Sequence, residues 1–226
     1  IRDLVFSLVG SEMCIRDRMC GTCWSMVLPL AGSSCPRCGG PVDEDAEPCL
    51  HCIQRPPPQE MTVVWGEHDG ALRGAILSLK HGGRDDLAAP LARRLAAAIA
   101  AAALPACCDV VTWVPSHAVR RIRRPYTAAQ LLSLEVARSL HLPHRKLLVR
   151  RGLGRQTARS RARRLRLPAR VFRADTRSRC RSVLLVDDVI TTGSTLRRAA
   201  EAILTAGAEA VFCAALARTP DSRRFS

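Results

Sequence analysis

Val183-Leu-Leu-Val-Asp-Asp-Val-Ile-Thr-Thr-Gly-Ser-Thr195 is the stretch on which the reading of this chain turns. Its first four residues are all apolar, as expected of a strand buried on both faces in a parallel sheet. Sheets of that kind bind ligands at the carboxyl ends of their strands, so Asp187 and Asp188 are expected at a mouth. Thr191, Thr192, Gly193, Ser194 and Thr195 then bring hydroxyls and closely spaced N–H groups to the start of a helix, which makes a phosphate cradle. Gly193 lets the backbone approach the anion closely. Carboxylates a few residues ahead of such a cradle can accept hydrogen bonds from sugar hydroxyls while the cradle holds that sugar's phosphate, a spacing that fits a ribose 5-phosphate. An apolar strand ending in Asp-Asp also describes a Walker B element. No G-x-x-x-x-G-K-[ST] accompanies it, and the only lysines are Lys80 and Lys146, which argues against a P-loop NTPase. A helix cap alone would need neither the second carboxylate nor the hydroxyl run.

Outward from this stretch, hydrophobic periodicity predicts a strand over Met61 to Trp65, helices over Gly70 to Lys80 and Leu87 to Ala103, and a strand over Cys108 to Val114. A helix follows over Thr127 to Leu140. After the strand Val183 to Val186 come a helix from about Thr195 to Thr205, stopped by Gly207, and a strand over Ala210 to Ala217. Strand, helix and strand in that order imply a parallel sheet in an α/β fold.

Toward the N-terminus, Cys20-x-x-Cys23, Cys35-x-x-Cys38 and Cys49-x-x-Cys52 repeat one spacing. Two thiolates three residues apart can face one ion, and two such turns complete a tetrahedral sulfur site for structural zinc. Six thiolates are two more than one zinc takes, so either one pair is spare or a lost upstream pair completes a second site. Cys107, Cys108, Cys180 and Cys213 read as small buried hydrophobes. Pro56-Pro57-Pro58 supplies a stiff linker. The expected division is therefore a cysteine-rich zinc module over 19–55, a linker over 56–60, the α/β domain over 61–219 and a tail over 220–226.

Residues 1–18 are set apart from this division. Leu8 to Asp17, LVGSEMCIRD, resembles the translated sequence of a transposase sequencing adaptor, so residues 1–18 are expected to be non-native. A signal peptide starting at Arg2 and running through Leu4 to Val9 lacks a small-residue cleavage site. Met19 need not be the true start.

The net charge of +15 is uneven: residues 120–181 hold 20 Arg or Lys against only Glu135 and Asp175, so this window alone carries +18 and the remainder −3. Such an island attracts nucleic acid or a pyrophosphate-bearing substrate. The longest apolar run, Leu95 to Leu104, has ten residues, well short of the roughly 20 of a membrane span. Paired reduced thiols point to the cytoplasm.

VLLVDDVITTGST resembles the 13-residue signature of type I phosphoribosyltransferases, and with the cysteine pairs the chain resembles the ComF family, competence-associated proteins that join a zinc finger to such a domain. The resemblance covers most of 19–219. It implies a parallel-sheet type I phosphoribosyltransferase-like domain preceded by a small cysteine-rich zinc module. By the same resemblance Asp187 and Asp188, the catalytic pair, hold the ribose 2′ and 3′ hydroxyls, and Thr191 to Thr195 hold the 5-phosphate. Leu79-Lys80-His81-Gly82-Gly83 matches the family's LK-x-x-G element, with Lys80 at the pyrophosphate. Pro115 with Arg120 to Arg124, Gln156 and Phe172 match further family positions. The family's R-G-[FY]-[ND]-Q is here Arg124-Pro125-Tyr126-Thr127-Ala128, and an asparagine expected before Phe172 is replaced around Leu167-Pro168. These departures bear on the transfer step and leave the ribose and phosphate residues intact.

The expected activity is binding of phosphoribosyl pyrophosphate with Mg²⁺ on its oxygens. Transfer of the phosphoribosyl group to a nitrogen nucleophile, a glycosyltransferase reaction, would follow in the context of DNA uptake. His81 and His117 are the candidate bases. Two alternatives stay open: a non-catalytic factor that grips single-stranded DNA with the Arg-rich strip from Arg145 to Arg181 and the zinc module, and a zinc module that docks on a helicase of the uptake machinery.

Overall fold

The computed structural model describes residues 21–30, 32–42, 48–116, 126–150, 171–174 and 180–220. Two short helices, α1 (Gly21–Ser25) and α2 (Leu50–Gln54), precede the main domain. There follow β1 (Met61–Glu67), α3 (Gly70–His81), α4 (Ala88–Ala101), β2 (Val110–Trp113), α5 (Ala128–Ser139), β3 (Leu148–Arg150), β4 (Phe172–Ala174), β5 (Ser182–Ile190), α6 (Ser194–Thr205) and β6 (Ala210–Arg218).

The sheet runs β1-β6-β5-β2, parallel throughout. Alternation along β5 sends successive side chains to opposite faces. Leu184 and Val186 pack under α3, α4 and α5 with Ile76, Leu91, Leu95 and Leu132. Val183 and Leu185 face the other way, onto Leu196, Ala199 and Ile203 of α6 and onto Leu148 and Phe172 of the antiparallel pair β3–β4. Because both faces are covered, the two central strands carry no polar alternation. Cys213 through Ala217 of β6 are all fully buried.

Most boundaries fall within two residues of expectation, and one differs by more. β5 does not stop at Val186: Asp187, Val189 and Ile190 go on pairing with Ala215, Ala217 and Arg218 of β6. β2 ends at Trp113 opposite Val186, so among the described residues the last part of β5 pairs with a strand on one side only. The acidic pair therefore belongs to the strand itself, in the part that outruns β2. The β3–β4 pair and the two short N-terminal helices carry too few residues to show a period and were not expected.

The cysteine-bearing segment docks on the free edge of β1. Thr62 N–H donates to the Pro36 carbonyl at 2.7 Å, and Thr62 Oγ1 donates to the Arg37 carbonyl at 2.8 Å. Leu30 N–H donates to the Trp65 carbonyl at 2.7 Å. Edge groups that would otherwise face water or another chain are thus partly paired within the molecule. Arg94 of α4 lies 4.2 Å over the Trp24 ring, which fastens α1 to the same region.

Candidate functional site

The site begins with two adjacent side chains on opposite faces of β5. Asp188 turns toward α3, where Lys80 in the last helical turn places Nζ 2.6 Å from Asp188 Oδ1. Both partners are mostly buried, with side-chain exposures of 23% and 16%, so the pair is screened far less than a surface bridge. Asp187 turns the other way. Its carboxylate accepts the Asp188 backbone N–H at 2.8 Å. Burial first, and the neighbouring Asp188 charge second, push its pKa well above the ordinary carboxylate range, while Lys80 and Arg150 of β3 pull against that rise.

Past Ile190 the chain turns through Thr191, Thr192 and Gly193 into α6. Gly193, at φ 72°, sits in the left-handed region that a side chain would strain. Thr192 Oγ1 donates to Ser194 Oγ at 2.9 Å and accepts from Ser194 N–H at 3.4 Å. Thr191, Thr192 and Ser194 are exposed and Thr195 half-buried. A 12-residue helix leads away from this turn, so its positive end and first free N–H groups point to the same place.

The structure thus brings Lys80, Asp187 and Asp188 together at the carboxyl edge of the sheet, with Thr191 to Thr195 at the end of the same strand. His81 is exposed. His117, Arg120 to Arg124, Gln156 and the arginines of 151–170 lie outside the described residues. Sequence reasoning missed His68, the first residue past β1, whose Nε2 is buried and has no hydrogen-bond partner. A lone histidine after a strand has no spacing to mark it. Its position at the end of a parallel strand was the available signal.

The cysteine pairs form a second constellation. The sulfurs of Cys35, Cys38, Cys49 and Cys52 all lie within 4.8 Å of one another. Cys35 and Cys52 are 3.9 Å apart and Cys38 and Cys49 are 3.7 Å apart. Tetrahedral zinc at about 2.3 Å from each sulfur requires edges of about 3.8 Å, so these four thiols could hold such an ion. Backbone N–H groups already point at the sulfurs: Gly40 N–H donates to Cys38 at 3.4 Å and Cys49 N–H to Cys35 at 3.5 Å. Burial raises the Cys35 thiol, but backbone donors outweigh it and bring its pKa down to about 7, while burial pushes Cys38 up to about 11. Cys20 and the Cys23 side chain lie outside the described residues. Cys108 and Cys213 are buried as expected, but Cys107 is exposed.

The sequence profile of the phosphoribosyl transferase domain matches residues 135–226. The chain is 31% identical to the DNA utilization protein YhgH of Escherichia coli K12 over 227 residues, covering 88% of this chain and 97% of that protein. It is 29% identical to Competence protein F of Haemophilus influenzae over 220 residues, covering 92% and 94%. Among solved structures, glutamine phosphoribosylpyrophosphate amidotransferase from B. subtilis aligns at 21% identity and a TM-score of 0.41, over 62% of this chain and 30% of that one. A purine phosphoribosyltransferase from Pyrococcus horikoshii aligns at 17% identity and a TM-score of 0.31, over 70% and 78%. Among the described residues, no helix is long and apolar enough to cross a membrane.

Proposed function

Since the chain belongs to the ComF family, with a parallel-sheet phosphoribosyltransferase-type domain behind a cysteine cluster, we propose that it binds phosphoribosyl pyrophosphate and serves DNA utilization or competence. The observation that carries this reading is the placement of an acidic pair and a hydroxyl-rich helix start on one strand end, with Lys80 2.6 Å from Asp188. In the bound state Asp187 and Asp188 accept hydrogen bonds from the ribose 2′ and 3′ hydroxyls. The turn from Thr191 to Thr195 wraps the 5-phosphate with N–H groups and hydroxyls. Lys80 exchanges Asp188 for a pyrophosphate oxygen. When present, Mg²⁺ supplies neutralising charge to the pyrophosphate oxygens and asks the protein for few carboxylates. If transfer follows, departure of pyrophosphate leaves positive charge on the ribose ring, and the acidic pair stabilises it electrostatically.

The four clustered thiols of Cys35, Cys38, Cys49 and Cys52 hold one structural zinc in this reading, since an all-sulfur shell leaves no open position for a substrate. Ligand protection tests the donor site. Phosphoribosyl pyrophosphate with Mg²⁺ raises the melting temperature of the wild-type protein, because it binds only the folded state. A Thr192→Val, Ser194→Ala variant loses most of that rise. Equal protection of both proteins would remove the cradle from the account.

A second reading is favoured by the +18 charge of residues 120–181: contact with single-stranded DNA along the basic strip. A small substrate needs two or three cations, whereas a strip suits a polyanion. Affinity for an oligonucleotide that falls steeply with added salt would support it. Salt-independent or undetectable binding would remove it.

A further inference from the structure

Among the described residues three buried side-chain polar atoms have no hydrogen-bond partner: Gln59 Oε1, His68 Nε2 and Ser116 Oγ. Buried polar atoms are nearly always paired, so an orphan at a ligand-binding edge marks a place where the ligand completes the set. Gln59 sits at the cysteine segment, where its Nε2 donates to the Arg37 carbonyl, and Ser116 belongs to the loop after β2 beside the acidic strand. His68 is not accounted for by either setting. It follows β1 at the carboxyl edge of the sheet, and its backbone N–H donates to the Arg218 carbonyl at 2.7 Å. That bond fixes where the ring starts, independently of the ring's own chemistry.

The ring lies within electrostatic reach of both halves of the Lys80–Asp188 pair. Arg73 and Lys80, seven residues apart on α3, fall on one helix face, and both act on His68 as cations. Asp69 and Asp188 act on it as anions. Burial first, and the two cations second, hold the pKa of the free imidazole below its ordinary value. A half-buried imidazole whose Nε2 is shielded from solvent and has no hydrogen-bond partner, beside a lysine whose counter-ion a ligand would replace, is suited to an arriving anion.

We propose that His68 is a further ligand-binding residue of this site, donating Nε2–H to a phosphate oxygen of the bound donor on the side of Lys80. The inference rests on the donor-binding reading above. A neutral imidazole offers one N–H, which the Nε2–H tautomer directs to the phosphate, and the imidazolium offers both. As the phosphate takes Lys80, Asp188 is released to accept a sugar hydroxyl, and a dianion arrives beside the ring. The imidazolium form becomes favoured, so binding is accompanied by proton uptake at His68. Affinity is then highest below the depressed value of the free protein and declines as pH rises through the higher value of the complex.

The test is calorimetric titration of the full, metal-loaded chain with phosphoribosyl pyrophosphate and Mg²⁺, from about pH 5.5 to 8, in buffers of different ionisation enthalpy. Wild type is compared with His68→Ala and His68→Gln. The donor's own phosphate protons cancel in the difference between proteins. The expected result is at least a tenfold weaker complex for His68→Ala. His68→Gln, which keeps an N–H donor, recovers most of the affinity but lacks the wild-type proton uptake. Should His68→Ala not fold, the missing proton uptake in His68→Gln decides. Wild-type affinity and proton uptake in the variants would overturn the role of His68 and leave the donor site standing. No binding by the wild type would remove the donor site first and this inference with it.

Discussion

Lys80 Nζ and Asp188 Oδ1, 108 residues apart in sequence, meet at 2.6 Å across the gap between α3 and β5. The contact ties the family's LK-x-x-G element to the acidic signature and gives each half a partner that a ligand can replace. A cation that leaves its carboxylate for a phosphate gains a charge-assisted bond of similar kind, so the exchange is inexpensive. Lys80→Ala is expected to weaken donor binding by about 10- to 100-fold, the worth of one hydrogen bond to a charged group. Equilibrium dialysis with labelled donor checks it, and an unchanged affinity would remove Lys80 from the site.

Asp187 makes stability depend on pH in an unusual direction. Its raised carboxyl binds a proton more tightly in the folded state than in the unfolded chain. Stability therefore falls as pH rises from the ordinary carboxylate range, near pH 4, toward the raised value. Asp187→Asn removes this loss. Its melting temperature is expected to exceed that of the wild type at neutral pH, with the gap closing near pH 4. Thermal scans across that interval measure the gap, and a lower neutral-pH melting temperature for the variant would contradict the burial assigned to Asp187.

The cysteine segment is built into the sheet, so metal and domain stability are expected to be linked. Besides the Thr62 bonds, Arg37 pairs with Glu60 at 3.0 Å and Arg218 Nη1 donates to the Cys38 carbonyl at 3.1 Å. Cys35→Ser with Cys52→Ser is expected to lose one equivalent of zinc and to lower the melting temperature by about 6 to 12 °C, for a loss near 3 kcal/mol. Metal analysis paired with calorimetry reads both. Loss of zinc with an unchanged melting temperature would show a module independent of the domain.

Gly39 of the cysteine segment packs directly against β1. At φ 68° it holds a left-handed turn, and a Cβ there would lie 2.5 Å from Val64 Cγ2 of β1. Gly39→Ala is expected to cost about 1 to 3 kcal/mol through strain and overpacking. Chemical denaturation measures it, and a neutral substitution would mean that the segment does not press on β1.

Much of this was legible because the central strands are buried on both faces. Val183 to Val186 and Ala210 to Ala217 are apolar runs bounded by turns, and parallel pairing follows from the helix between them. The cysteine spacing likewise led to four thiols that converge. What the chain did not disclose depends on distant contacts. β3 and β4 have three residues each, and only Leu148 and Phe172 are buried, too short a pattern to carry a period. The extension of β5 through Asp187 and Asp188 reflects pairing with β6, which outweighs the low strand preference of aspartate. His68 becomes visible only when the ends of β1 and β5 are seen on one edge.

Calorimetric titration of the metal-loaded protein with phosphoribosyl pyrophosphate and Mg²⁺, beside an Asp187→Ala, Asp188→Ala double variant, reads donor binding at the acidic pair itself. Micromolar binding by the wild type, about −8 kcal/mol, is expected, and the double variant loses it. No binding by the wild type, or equal binding by both proteins, would contradict a donor site at the acidic pair.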